Sequence, residues 1–383
     1  LSPAGLHYDV QLKGSGPTPF SRNGDGKSSL GPVIREYIVS EAMRYLRVPT
    51  TRALCAISTG ELVYREQALP GGVFTRIASS HIRIGTFEYF ASRGDNEAVK
   101  ILADYSIDRH YPKQISSENI YLDFLMQVAE SQSTLVAKWM SYGFIHGVMN
   151  TDNMAISGET LDYGPCAFMD NFSASRRYSF IDKNGRYAYN NQIPIAKWNL
   201  YRLAECLVSL IDDDSEKAIG KIEKYFMTLD ELYHNKWLTE MCSKLGLENN
   251  HNESEELINE WLELLEEENL DFTLSFRNLS QSDHGFESTP RFEKFYSNWK
   301  NKLDNQTQTK AESFTIMNQV NPLYIARNHQ VEKAITLAIS GDYSKFKEMN
   351  QVLRSPFKEQ PEFKEYQKPP LENERIAATF CGT

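Results

Sequence analysis

His146-Gly-Val-Met-Asn-Thr-Asp-Asn-Met-Ala-Ile-Ser-Gly-Glu-Thr-Leu-Asp-Tyr-Gly164 is the stretch on which the reading of this chain turns. Met154-Ala-Ile-Ser is apolar, Gly158-Glu has turn chemistry, and Thr160-Leu-Asp-Tyr resumes a strand, so the pattern predicts a compact β-hairpin. The two arms of a hairpin lie side by side, which brings Asp152 and Asn153 close to Asp162. Two carboxylates and an amide oxygen converging in this way suit a hard divalent cation, which takes oxygen ligands and keeps positions for water or phosphate. Asp and Asn are also ordinary turn formers, so the stretch alone leaves a metal site and a capped turn both open.

Working outward, the order of residues matters. His146 precedes Asp152-Asn153, and Asp162-Tyr-Gly follows ten positions after Asp152. That order has the logic of a kinase catalytic loop and its Asp-Phe-Gly, where one Asp faces the attacking hydroxyl while an Asn and a second Asp bind metal. The Asn here directly follows the Asp, which is not the spacing of an ordinary kinase. Lys13 ends a strand-like run and precedes a glycine-rich loop, and Glu36 lies 23 positions on, inside a predicted helix. A strand lysine held by a helix glutamate is a device for gripping nucleotide phosphates. Arg76 and Arg83 flank Ile-Ala-Ser-Ser-His-Ile and have the fork geometry for bidentate phosphate contacts. Ser21-Arg-Asn-Gly-Asp-Gly-Lys-Ser28 resembles the end of a P-loop, but Ser21 stands where a glycine is required and no buried strand leads into it, so that reading is rejected. The glycines still let backbone N–H groups approach a phosphate. His81 and His146 are candidate bases, with packing in the core as the ordinary alternative.

The rest of the chain bounds these readings. It has 383 residues, 41% hydrophobic and 24% charged, enough to bury a sizeable core. A net charge of −10 argues against nucleic-acid backbone or anionic membrane as a partner. The five cysteines, Cys55, Cys166, Cys206, Cys242 and Cys381, form no C-x-x-C pair and suggest neither zinc nor a disulfide framework. No apolar run spans a bilayer, and a cytoplasmic setting is expected. Residues 7–13 alternate, with Tyr8, Val10 and Leu12 on one face and Asp9, Gln11 and Lys13 on the other, as in a half-buried strand. A helix is predicted over 31–46 on Ile34, Ile38, Ala42 and Leu46. Strands are predicted over Arg52–Tyr64 and Gly72–Ala78, around a turn at Leu69-Pro-Gly-Gly72. Helical spacing follows over 96–107, 117–143 and 196–212, in the acidic segment 254–269, and in two helices over 328–353 broken near Gly341. Residues 355–371 read as a surface tail. The chain opens Leu1-Ser-Pro and enters a strand almost at once, so an N-terminal part is expected to precede it.

Several long motifs resemble one family. Gln11-Leu-Lys-Gly-Ser-Gly-Pro-Thr-Pro-Phe-Ser-Arg-Asn-Gly-Asp-Gly26, Ile34-Arg-Glu-Tyr-Ile-Val-Ser-Glu-Ala-Met43, Val48-Pro-Thr-Thr-Arg-Ala-Leu54, the His146 stretch, Leu161-Asp-Tyr-Gly-Pro165 and Asn191-Gln-Ile-Pro-Ile-Ala-Lys-Trp-Asn-Leu200 are all similar to the selenoprotein O family of pseudokinases. The match is dense over roughly 7–205 and sparser beyond. The resemblance implies an α+β, protein-kinase-like two-lobed fold. Residues 1–80 would form a small β-rich N-lobe. Residues 81–310 would form a larger, mostly helical C-lobe with the hairpin at 146–165, and 311–383 a helical extension and tail. It further implies ATP bound in a flipped orientation and transfer of AMP, in some members UMP from UTP, onto Ser, Thr or Tyr hydroxyls of partner proteins. By motif, Asp152 resembles the proton acceptor, and Asn153 and Asp162 the ligands of Mg2+ or Mn2+. Lys13, Asp25, Gly26, Arg76, Arg83 and Asp162 resemble the nucleotide contacts, and Glu36 the partner of Lys13. The family carries a Gly-Asp-Gly-Arg element before the lysine strand, which this chain lacks, so part of the site is expected to be missing. Some members pair a C-terminal cysteine with one in the loop before Gly185-Arg-Tyr. Cys381 suits the first place, but Tyr178-Ser-Phe-Ile-Asp offers no partner, so that latch is not expected. An ordinary kinase and a non-catalytic nucleotide-binding module stay as alternatives; a monomer is favoured.

Overall fold

The computed structural model describes residues 5–18, 21, 24–112, 118–249, 251–281 and 285–380. It is an α+β structure: one antiparallel sheet in the first eighty residues, then a largely helical remainder. The sheet comprises β1 (Asp9–Lys13), β2 (Ser28–Ser29), β3 (Arg52–Tyr64) and β4 (Ala68–Ala78), with β4 central. β3 runs along one side of β4, while β1 and β2 share the other, opposite Phe74–Ala78 and Gly71–Gly72. Val73, Phe74, Thr75 and Ile77 give β4 the branched and aromatic side chains that suit a pleated surface.

Two local expectations are corrected. The Leu69–Gly72 turn lies inside β4, and the chain reverses at Arg65–Gln67 instead, where Arg65 N donates to Gln67 O at 3.1 Å. Pro70, opposite Leu62, is tolerated beside the bulge that the register shift between Ser58 and Leu62 opens across from Gly71. Gly71 and Gly72 serve close approach: a Cβ on Gly71 would stand 2.7 Å from Thr59 Oγ1, and one on Gly72 3.2 Å from Leu30 Cα. The second correction concerns β1. Its apolar side faces outward, with Tyr8, Val10 and Leu12 each at least half exposed, while Asp9, Gln11 and Lys13 turn inward. Charged partners on the inner side decide the orientation, not hydrophobicity.

Helix α1 (Leu30–Tyr45) packs against β3 and β4 on one side and a late helix on the other, so Ile34, Ile38, Ala42 and Leu46 are all buried, and Leu30, Val33, Val39 and Met43 with them. After β4 come α2 (Ile84–Ala91), α3 (Asn96–His110) and α4 (Ile120–Ser141). Asp95 and Asn119 cap the last two by accepting from Ala98 N and Leu122 N. α4 is the axis of the core, burying Phe124, Leu125, Val128, Leu135, Val136 and Trp139 between α5 (Gln192–Ile211) and α7 (Leu229–Leu245), with α6 (Ser215–Phe226) alongside.

The helices α8 (His251–Glu267), α9 (Phe272–Asn278), α10 (Pro290–Asn305), α11 (Lys310–Val320), α12 (Asn328–Ile339) and α13 (Ser344–Val352) complete the body. α12 and α13 part at Gly341, which adopts φ +92°. α12 is the late helix on α1, and the two are joined by an Arg35–Glu332 ion pair. Residues 355–371 lie mostly at the surface, as expected, and are fastened there: Tyr366 is buried, Tyr324 Oη donates to Gln360 O at 3.0 Å, and Arg327 Nε donates to Gln367 O at 3.1 Å. No helix among the described residues is long and apolar enough to cross a membrane.

Candidate active site

The stretch from His146 to Gly164 is a loop whose base is closed by β5 (Phe144–Ile145) pairing with β6 (Ala167–Phe168). The expected hairpin is reduced to one bridge, Met154 to Thr160. Its arms pair outward instead: Ala155 bridges Arg83, and Thr160 bridges Thr50. Asp152 and Asn153 sit in a single 3-10 turn, Thr151–Asn153, not in a strand. The arms are nevertheless neighbours, because polar struts hold them. His146 is fully buried and its Nε2 lies 2.9 Å from Leu161 O, the residue before Asp162. Burial lowers its pKa, so the ring is a neutral strut. Trp139 Nε1 donates to Thr160 Oγ1 at 2.9 Å. Gln192 on α5 receives His146 N and donates to Phe144 O, at 3.1 and 3.0 Å, and Asn199 Nδ2 donates to Met149 O at 2.8 Å.

Lys13 reaches from β1 into this loop. Its Nζ lies 2.7 Å from Glu36 Oε2 and 2.6 Å from Asp162 Oδ1. Glu36, on α1, also pairs with Arg76, which is fully buried and donates to Gln11 Oε1 at 3.2 Å. Burial would raise the Asp162 carboxyl, but the Lys13 ammonium and the Arg76 guanidinium outweigh it and hold the group well below the usual carboxylate range. Burial alone would likewise lower the Lys13 pKa; Asp162 and Glu36 hold it above its ordinary value. Asp162 adopts φ +68°, a left-handed conformation that costs a non-glycine residue and recurs where function requires a side chain to be aimed.

Arg83 precedes α2, and Asp162 and Asp152 both act on its charge. Its Nε is buried without a hydrogen-bond partner. Asp152 packs on the first turn of α2, where a Cβ on Gly85 would stand 2.4 Å from Asp152 Oδ1. Asn153 Nδ2 donates to Val148 O at 3.0 Å, which turns its Oδ1 away from that carbonyl. Three cations, Lys13, Arg76 and Arg83, therefore share one neighbourhood with three anions, Glu36, Asp152 and Asp162. His81, beside them, is driven down to about 4 by burial and by Arg76 and Arg83, and is neutral at pH 7.

Asp25 and Gly26 stand across a cavity of about 570 Å³ lined by Lys13, Gly14, Asp25, Gly26, Lys27 and Arg65. The glycine-rich loop is a small flap: Ser15 bridges Lys27, and Gly16 N donates to Gly26 O at 3.1 Å. Gly26, at φ +64°, sits so close that a Cβ would lie 2.0 Å from Gly16 O. Arg65, at the β3–β4 turn, grips Asp25 with two bonds of 2.9 Å, and this pairing drives the carboxyl down to about 2. Lys27 adds a 2.7 Å pair to Glu61.

Gln11, Arg65, Gly85 and Gln192 were not singled out by sequence. Gln11 carried a signal as a polar residue on the face of β1 that bears Lys13, and Gln192 lay inside the Asn191–Leu200 motif. Among the described residues no group of three His, Cys, Asp or Glu side chains forms a ready metal cage. A divalent ion would need phosphate or water oxygens to complete a shell begun by Asn153 and Asp162, a donor set that fits a metal arriving with a nucleotide. Cys381 lies outside the described residues. Just before it, Thr379 Oγ1 donates to Pro165 O at 2.5 Å, binding a late residue to the segment that follows Asp162.

The model of a family described as protein adenylyltransferase SelO matches residues 2–354. A protein nucleotidyltransferase YdiU from Rhizobium leguminosarum bv. trifolii (strain WSM2304) is 49% identical over 391 residues, covering 99% of this chain and 78% of the relative. Its namesake from Maridesulfovibrio salexigens is 50% identical over 392 residues, covering 100% and 80%. That from Bacillus mycoides is 47% identical over 388 residues, covering 100% and 79%.

Proposed function

The chain belongs to the SelO family of protein adenylyltransferases, and from that premise we infer that it is an enzyme transferring a nucleoside monophosphate from a nucleoside triphosphate to hydroxyl groups of proteins. The observation that carries the reading is the position of Lys13, within 2.7 Å of both Glu36 and Asp162 and in one neighbourhood with Asp152. We propose ATP, with UTP as the alternative donor, and Ser, Thr or Tyr as acceptors. The proposed arrangement is kinase-like: the sheet with α1, residues 1–80, is the small lobe, residues 81–310 are the large lobe, and 311–383 are an extension. A cytoplasmic, monomeric protein that binds neither nucleic acid nor membrane completes the proposal.

In this reading Asn153 and Asp162 hold Mg2+ or Mn2+, which offsets phosphate charge when bound. Lys13 and Arg83 face the phosphates. Arg76, buried against Glu36, fixes the glutamate that orients Lys13 and adds positive potential without touching the ligand. Asp25 and Gly26 border the nucleotide across the cavity. Asp152 accepts the proton of the attacking hydroxyl as its oxygen bonds to the α-phosphorus and the bond to pyrophosphate breaks. With three cations balanced by three anions, the protein groups alone supply no net charge to draw in a polyphosphate, which supports a role for the metal.

Incubating the chain and a mixed protein substrate with ATP labelled at the α or the γ position tests this. Label from the α position appears on protein and depends on Asp152 and Asp162. Transfer from γ alone would overturn the reading in favour of a kinase, and binding without transfer in favour of a non-catalytic module.

A further inference from the structure

The chain is acidic overall, yet residues 173–189 carry Arg176, Arg177, Lys183 and Arg186 against the single carboxylate of Asp182. All four cations are exposed, and among the described residues none of them is in an ion pair. Asp182 is buried and turned inward, its two oxygens receiving Arg186 N and Tyr187 N, each at 2.8 Å. The loop's own acid therefore shapes it rather than neutralising it, and at its base Glu266 Oε1 is occupied by Ser173 Oγ at 2.8 Å and Ala174 N at 3.2 Å. Arg186 is held ready by stacking: its guanidinium lies 4.8 Å from the Trp198 ring, whose own surface is 38% exposed. A stacked guanidinium keeps its edge N–H groups available for carboxylates.

The position of this loop gives it meaning. Its ends are closed by Tyr189 N donating to Arg176 O at 2.9 Å and Asn190 N to Ala174 O at 3.0 Å. Two residues further, Gln192 clamps Phe144 and His146, and on the same helix Asn199, next to Trp198, holds Met149. The basic loop and its aromatic platform thus rest on the elements that position Asp152. In a protein with a net charge of −10, exposed and unbalanced cations here would attract what the rest of the surface repels.

We propose that the segment Arg176–Arg186 with Trp198 is a docking surface for acidic stretches of the protein substrate. It rests on the reading of the chain as a protein-modifying enzyme, since the partner it selects is the hydroxyl-bearing protein. Acidic flanks would hold the acceptor beside Asp152 by long-range attraction and by Arg–carboxylate pairing.

The test uses fluorescent peptides with one central serine and flanks of Asp/Glu, Asn/Gln or Lys/Arg, titrated into the full chain with Mg2+ and ATP. Four exposed pairs of ordinary strength predict about tenfold tighter binding of the acidic peptide than of the neutral one. The preference falls on raising salt, and it disappears in a variant with R176E, R177E, K183E and R186E. A milder set, R176Q, R177Q, K183Q and R186Q, gives an intermediate preference. Control changes K224E on α6 and K347E on α13 leave the preference intact, and nucleotide affinity is the same in all. Equal binding of acidic and neutral peptides, or a preference that survives the fourfold reversal, would overturn the docking surface. A preference that holds while no α-label reaches any peptide would sustain the surface and defeat the proposed transfer.

Discussion

Lys13 and Asp162 are 149 positions apart in the chain and 2.6 Å apart in the structure. The contact joins the first strand of the sheet to the end of the helical body's active loop, and it makes the pair sensitive to pH from both sides. Asp162 has a folded pKa below its unfolded value, so its contribution is present above about pH 4 and is lost as pH falls through the folded pKa. Lys13 has a folded pKa above its unfolded value, so its contribution is full below about pH 10 and is lost as pH rises through the folded pKa. Urea unfolding of the wild type and Asp162→Asn across pH should show a stability difference that is flat near neutrality and shrinks at both extremes. A difference independent of pH would refute the coupling. The same variant should transfer at least about a hundredfold less nucleotide.

Gly85 is the floor beneath Asp152. In Gly85→Ala the new Cβ meets the carboxylate oxygen and must displace it. Moving a reacting group by about an ångström costs about a hundredfold, so kcat should fall by about that factor while KM for the nucleotide changes little. A variant that retains kcat would show that Asp152 need not stand where the first turn of α2 puts it.

Arg65 makes two bonds to Asp25 on the far side of the cavity beside Lys13. Arg65→Ala frees the glycine-rich flap, and KM for the nucleotide should rise about two- to fivefold, the scale of an exposed pair, with kcat unchanged. Arg65→Lys, which has no planar fork, should restore only part of the affinity. Identical KM values in all three proteins would remove Arg65 from the site.

Lys244 is buried among Tyr142, Phe272 and Phe276, with its Nζ 2.9 Å from Asn321 Oδ1. Burial drives its pKa down to about 7, against the pull of Glu240. Between about pH 7 and 10 the unfolded chain binds a proton that the folded chain does not, so stability rises with pH, by up to about 1.4 kcal/mol per unit. Lys244→Met should lose that slope and be at least as stable as the wild type at pH 7. Parallel pH curves for the two proteins would show that Lys244 stays charged inside.

Much of this was readable from sequence because it is local. Periodicity located α1 and α4, and the strand read at Arg52–Tyr64 has those bounds in β3. The carboxylates of the His146 stretch were found because few residues separate them. What escaped reading depends on distant partners. Alternation in β1 identified two faces, but only Glu36 and Asp162, brought in by other elements, turn the polar one inward. Pro70-Gly-Gly has turn chemistry, and pairing with β3 overrides it. Arg65 and Asp25 are both surface residues 40 positions apart, and nothing near either one announces the other.

The bond from Thr379 to Pro165 spans 214 positions. During synthesis the Lys13–Asp162 contact has both its residues available long before Thr379 leaves the ribosome. β6 can already hold the segment after Asp162 through its pairing with β5, but the clasp from Thr379 must wait for more than half of the described chain to be made. Assembly of this loop is ordered in time, with the Lys13 and Asp162 charges able to meet first and the Thr379 brace arriving later.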